Sequence, residues 1–97
     1  MRRSKLEMYS DILKVLSQKK FLKVTHIIYK ANINCKILKD ALDFLIKQGL
    51  IEKRVIGSGT LVYASTPHGT EILKFFREIE KMLPLLKEEE KIVSLLS

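Results

Sequence analysis

Between Ala31 and Ile51 the chain reads ANINCKILKDALDFLIKQGLI, and few backbone paths accept that order of residues. Asn34 can cap a helix, because its side-chain oxygen accepts from an orphan N–H of the first turn. Leu38, Ala41, Leu42 and Leu45 then recur at helical spacing and give one apolar stripe. Gly49 follows the last turn, where a left-handed residue is often required. Upstream, Thr25 to about Ala31 reads as a short helix with Ile27, Ile28 and Ala31 inward and His26 and Lys30 outward. Asn32-Ile33-Asn34 joins the two. Asn32 suits a left-handed stop, and Ile33 can bury between the helices. Two helices joined by so short a turn form a helix-turn-helix, whose second helix spans about 34–48.

The remaining segments frame this unit. Ser4 to about Gln18 is a first helix, opened by the capping-box pair Ser4 and Glu7. Leu6, Tyr9, Ile12, Leu13 and Leu16 form its apolar face, with Glu7, Lys14 and Gln18 outside it. The short run Phe21-Leu22-Val24 could pair as a small edge strand. Leu50–Ile56 and Leu61–Ser65 carry strand-type residues on either side of Gly57-Ser58-Gly59-Thr60, which predicts a β-hairpin over 50–65. A hairpin directly after a helix-turn-helix is a wing. The expected fold is therefore mostly α with a small β-hairpin, a winged helix-turn-helix over 1–66, followed by a long helix over 67–97.

That last helix opens at Thr66 as cap and Pro67 as first residue, where a missing N–H costs nothing. Ile72, Phe75, Ile79, Met82, Leu86, Glu89, Val93 and Leu96 follow spacings of three and four, a coiled-coil seam. With Phe76 and Leu83 beside them, the apolar residues of this set are the expected dimer interface. A helix over 67–96 would be roughly 45 Å long, more than so small a core needs. Pro84 interrupts it, by a kink or by a break and restart, because its ring clashes with the carbonyl four residues back.

The chain has 97 residues and a net charge of +7. The charge is unevenly placed. Residues 1–30 carry eight Lys/Arg against two acids, residues 31–56 five against three, and residues 57–97 five against six. Such a basic front half concentrates polyanions. No stretch reaches the roughly 18 apolar residues of a membrane span, and no apolar segment follows Met1-Arg2-Arg3 as in a signal peptide. One cysteine excludes an intramolecular disulfide and a multi-cysteine metal site, and fits a reducing compartment. Cytoplasmic, nucleoid-associated placement is expected.

Catalysis finds little support. His26 and His68 lie in different elements with no cluster to pair with, and the hairpin glycines lack the residues of a phosphate loop. Cys35 sits where a helix dipole could lower its pKa, but reads more simply as a small, partly buried residue. No cofactor, metal or small-molecule ligand is expected. With the apolar stripe inward, Lys36, Asp40, Asp43 and Lys47 fall on the opposite face, flanked by Lys39. In a helix-turn-helix that face meets the major groove, N-terminal part first. Candidate contacts to double-stranded DNA are Arg2, Arg3 and Lys5 as an arm, Lys19, Lys20 and Lys23 before helix two, Asn34, Lys36, Lys39 and Lys47 on the key helix, and Lys53, Arg54, Ser58 and Thr60 in the wing. Asp40 and Asp43 temper this, since acids repel phosphates. Those acids, with Ile37 and Phe44 nearby, favour the alternative of a winged helix that binds a protein without direct DNA contact.

Three stretches, SKLEMYSDIL, THIIYKANINCKILKDALDFLIKQGLIE and YASTPHGTEIL, carry a resemblance over roughly residues 4–82. Through them the chain resembles archaeal winged-helix proteins, in particular the small basic, chromatin-type DNA-binding proteins of Sulfolobus. Tyr29-Lys30-Ala31-Asn32 and Thr66-Pro67-His68-Gly69 are the most specific pieces. The resemblance implies a homodimer through an antiparallel coiled coil of the last helices, with duplex DNA as ligand. Pro84 and the acidic run after it depart from that pattern.

Overall fold

The computed structural model describes residues 4–82. Their order is α1 (Lys5–Gln18), α2 (Val24–Ala31), α3 (Cys35–Lys47), β1 (Ile51–Ile56), β2 (Thr60–Ser65) and α4 (Pro67–Met82). This is the mostly helical, winged arrangement expected. The run of apolar residues meant for the helix beyond Met82, and Pro84 with it, lies outside the described residues.

Each helix ends where local chemistry stops it. Ser4 Oγ accepts from the Glu7 N–H at 3.0 Å and starts α1. Asn32 closes α2 in the left-handed region at φ 54°, and the Ile33 N–H donates to the Ile28 carbonyl. Asn34 Oδ1 accepts from the Lys36 N–H at 2.8 Å and starts α3. After α3, Gly49 at φ 74° lets its N–H reach the Ile46 carbonyl while the Leu50 N–H reaches that of Leu45. These two bonds make a Schellman motif and satisfy carbonyls that the helix leaves orphaned. α2 begins at Val24, one residue before the expected Thr25, and no side chain caps it.

One core unites the elements. Ile12, Leu13 and Leu16 of α1 meet Ile27 and Ala31 of α2, Leu38, Ala41, Leu42 and Leu45 of α3, Ile51 and Tyr63 of the hairpin, and Leu73 of α4. Ile33 buries in the turn as anticipated. The face assigned to α1 needs correction at both ends. Leu6 is 59% exposed, because burial on α1 begins only at Ser10. Val15, left out of that face, is buried. The reason is that α2, β2 and α4 all pack on α1, so burial wraps beyond a single stripe.

β1 and β2 pair antiparallel, with Lys53 opposite Tyr63, Arg54 opposite Val62 and Ile56 opposite Thr60. The run before α2 does pair, but through one residue. Leu22 forms a single bridge to Tyr63, donating to its carbonyl at 3.0 Å and accepting from its N–H at 2.8 Å. β2 is therefore flanked on both sides.

α4 is joined to this body at its first turn. Thr66 Oγ1 accepts from the Gly69 N–H at 3.0 Å and donates to the Gly49 carbonyl at 2.6 Å. Further along, Lys14 of α1 and Glu80 of α4 pair at 3.3 Å.

Candidate nucleic-acid interface

The outward face of α3 follows from its inward one. With Leu38, Ala41, Leu42 and Leu45 buried, Lys36, Lys39, Asp40, Asp43 and Lys47 are all exposed. Three lysines against two aspartates leave this face at +1. None of the three lysines is in an ion pair among the described residues. Asn34, a proposed contact, uses its Oδ1 for the cap and keeps its amide N–H groups as donors. Cys35 is exposed, contrary to the expectation of partial burial. It occupies the first turn, before the stripe of buried residues begins at Leu38.

One aromatic contact ties α3 to α1. Phe44, exposed at its edge, stacks on Tyr9 of α1 with centroids 4.9 Å apart and planes 17° apart. The Tyr63 phenol of β2 is raised above its ordinary pKa, first by burial and then by the Asp43 carboxylate.

Strand alternation sorts the hairpin into two faces. Ile51, Lys53, Val55, Leu61 and Tyr63 share the face that carries the core residues Ile51 and Tyr63. Glu52, Arg54, Ile56, Thr60, Val62 and Ala64 share the other. Val62 and Ala64 are buried on it. Because Leu22 pairs with Tyr63, its neighbour Phe21 belongs to this second face. There the Arg54 guanidinium carbon lies 5.6 Å from the Phe21 ring centroid, and Lys20 Nζ lies 5.9 Å from it. Arg54 also pairs with Glu52 at 2.7 Å, an exposed contact worth about 0–1 kcal/mol.

The candidate contacts thus fall on separate surfaces. Lys36, Lys39 and Lys47 line α3, Lys53 lies on the hairpin face of Ile51 and Tyr63, and Lys20 and Arg54 gather round Phe21 on the opposite hairpin face. Lys5, Lys19 and Lys23 are exposed, Ser58 sits in the hairpin turn and Thr60 opens β2. Arg2 and Arg3 lie outside the described residues. Phe21, which Lys20 and Arg54 approach, carried no functional reading in the sequence. Its signal was its place among Lys19, Lys20 and Lys23. Tyr29, 86% exposed at the end of α2 beside Lys30, was likewise not among the candidate contacts.

On α4 the expected interface divides. Leu73 is buried, and Ile72 and Phe76 pack half-buried against the chain's own core. Phe75, Ile79 and Met82 are exposed and form a stripe at spacings of four and three. Leu83, Leu86, Val93 and Leu96 lie outside the described residues. Among the described residues no helix is long and apolar enough to cross a membrane, and no cluster of His, Cys, Asp and Glu could hold a metal ion.

A helix-turn-helix with an exposed second helix, followed by a two-stranded hairpin, defines a winged-helix domain. Residues 2–84 match the family described as winged helix-turn-helix, and the chain belongs to it. A DNA-binding protein of Sulfolobus solfataricus has the same fold, with a TM-score of 0.76 and 26% identity, covering 97% of this chain and 96% of that one. A PadR-family transcription regulator of Clostridium difficile gives a TM-score of 0.75 at 14% identity, over 84% of this chain and 95% of its own. A MarR-family transcriptional regulator of Silicibacter pomeroyi gives 0.67 at 21%, over 96% and 67%. The latter two show the fold alone. No curated protein sequence matches the chain.

Proposed function

We propose that this chain is a double-stranded DNA-binding protein, a transcription regulator or an architectural protein of the nucleoid, which acts as a homodimer and not as an enzyme. α3 meets the major groove, with Lys36 and Lys39 foremost, and the wing follows the flanking backbone. The observation that carries this reading is the capped α3, whose three outward lysines have no ion-pair partner among the described residues. The Sulfolobus relative, itself a DNA-binding protein, supports it. Pairing of two copies is supported by the exposed stripe of Phe75, Ile79 and Met82.

The test is a titration of duplex DNA at several salt concentrations. Binding should weaken with salt, with a log–log slope of about 0.9 per contacted phosphate. Lys36→Glu should lower affinity roughly tenfold and flatten that slope by about 1. Glu71→Gln on α4 should change neither. Absence of duplex binding at low salt refutes the reading. Ile79→Glu should shift the sedimenting species from dimer to monomer.

A second reading is a module that binds a protein through α3, favoured by exposed Ile37 beside Asp40 and Asp43. Phe44 serves it less well, since Tyr9 already covers one side of that ring. A stoichiometric protein partner that survives nuclease, in a chain that fails to bind duplex DNA, would establish it.

A further inference from the structure

α3 shows two different flanks to solvent. Lys36, Lys39, Asp43 and Lys47 recur at spacings of three and four along one of them. Asn34, Ile37, Asp40 and Phe44 recur likewise along the flank nearer α1, where Phe44 stacks on Tyr9. Between that flank and the first two turns of α1 lies an open groove of about 1090 Å³. Its apolar lining is Met8 and Tyr9 of α1, Ile33 of the turn, and Ile37 and Ala41 of α3. Ile33 and Ala41 are buried and Met8 and Tyr9 half-buried, so the domain's own packing sets this part of the groove. Ile37 is 51% exposed and leaves apolar surface uncovered there.

Two charges meet the groove. Asp40 and Lys5 both line it, and neither is in an ion pair among the described residues. They are not equivalent. The Asp40 carboxylate is one methylene away from the α3 backbone and stays beside Ile37 and Ala41. The Lys5 ammonium ends a flexible four-carbon stem, which lets it remain in water. The walls are short. At about 1.5 Å per residue, Ser4–Tyr9 and Asn34–Ala41 run for roughly 8–10 Å. That is the length of a two-ring aromatic with a short arm. A docked amphipathic helix, whose anchors alone run from i to i+7, would overhang it.

We propose that this groove binds a small aromatic cation: the rings lie against Met8, Tyr9, Ile33 and Ile37, and the ammonium pairs with Asp40. Such a site is a mostly apolar cleft in which one placed charge fixes the ligand's orientation. Met8 lets it accept rings of different outline, because a thioether side chain is unbranched and polarisable. Lys5 and the start of α3 favour an anion instead, so the sign of the ligand's charge separates the two. The site stands whether or not the chain binds DNA.

Two probes of the same ring system test it, tryptamine as the cation and indolepropionate as the anion. Each is titrated into the isotope-labelled full chain and followed by amide NMR shifts. Tryptamine should shift Tyr9, Ile33, Ile37 and Ala41 with a Kd below about 1 mM. Indolepropionate should bind about fivefold more weakly or worse. Asp40→Asn changes an exposed helical position, so circular dichroism should stay that of the wild type. It should bring the two probes within about twofold of each other. Ile37→Ser should weaken both alike, by about threefold or more. Equal affinity of the wild type for the two probes overturns the proposal. Preference for the anion also overturns it and gives the groove to Lys5 and the start of α3. So does an Asp40→Asn chain that keeps the wild-type preference, or shifts that fall outside the groove, or none with tryptamine at about 10 mM. Groove amides that shift with protein concentration alone give the groove to a second copy, which overturns it too.

Discussion

α3 and the wing solve opposite problems with the same kinds of residue. α3 turns Leu38, Ala41, Leu42 and Leu45 inward and shows charge to solvent. The wing buries its base through Ile51 and Tyr63 and shows Val55, Ile56 and Leu61 at its end. A helix with one buried stripe is held along its whole length. A hairpin that touches the body only near its root is free of the core's demands at its tip, so its tip residues are set by something other than packing. Both elements spring from one junction, where Gly49 and Leu50 lead from the first to the second.

That junction is where the comparison breaks most easily. Gly69 of α4 lies so close to Leu50 that a Cβ there would press into the Leu50 carbonyl oxygen and lie 2.8 Å from Ser65 Oγ. Glycine to alanine inside a helix ordinarily gains about 1 kcal/mol. Here the sign reverses, and Gly69→Ala should destabilise the fold by about 3 kcal/mol or more, measured by denaturant unfolding. Leu42→Ala comes next. It empties a fully buried site shared by α3 and the core and should cost about 2–5 kcal/mol, whereas the wing-tip Val55→Ala should cost well under 1. Equal losses at the two positions would mean that the wing tip is packed after all.

Smaller effects sharpen the contrast. Asn34→Ala removes the α3 cap and should cost about 1 kcal/mol, with amide exchange faster in the first turn of α3 and unchanged in the hairpin. The smallest effect is a pH dependence at the foot of the wing. Burial and Asp43 raise the Tyr63 phenol above 10.0 in the fold, so the unfolded chain ionises first. Stability from this group is intact below the unfolded value and is lost as pH rises through the folded one. Asp43→Asn should lower the phenol's titration midpoint, followed by ultraviolet absorbance, without restoring it fully, because burial is the larger cause.

How far this was legible in the sequence depended on range. Asn32, Asn34, Gly49 and, as the cap of α4, Thr66 act within a turn of themselves, and each does there what its chemistry foretold. The apolar stripe of α3 was equally plain. Other features required partners far along the chain. Which lysines share a surface depends on the hairpin register and on the bridge between Leu22 and Tyr63, and neither leaves a local mark. Leu6 obeys the helical period of α1 and is still exposed, since periodicity cannot say where a neighbouring element ends. Ile72 of the seam and Phe76 beside it look like interface residues yet partly serve their own core, because a long apolar helix must first close its own domain.

Thr66 shows what such local chemistry can govern at a distance. One hydroxyl, donating to Gly49 and accepting from Gly69, helps set the bearing on which α4 leaves the body, together with buried Leu73 and the Lys14–Glu80 pair. For any two copies paired through α4, a change of a few degrees at that pin is multiplied along the arm into ångströms between the two α3 helices. The pitch of B-DNA asks such a pair to stand about 34–36 Å apart, or a multiple of it. The gauge of the assembled reader would then be cut not at its DNA-facing surface but at a threonine behind it.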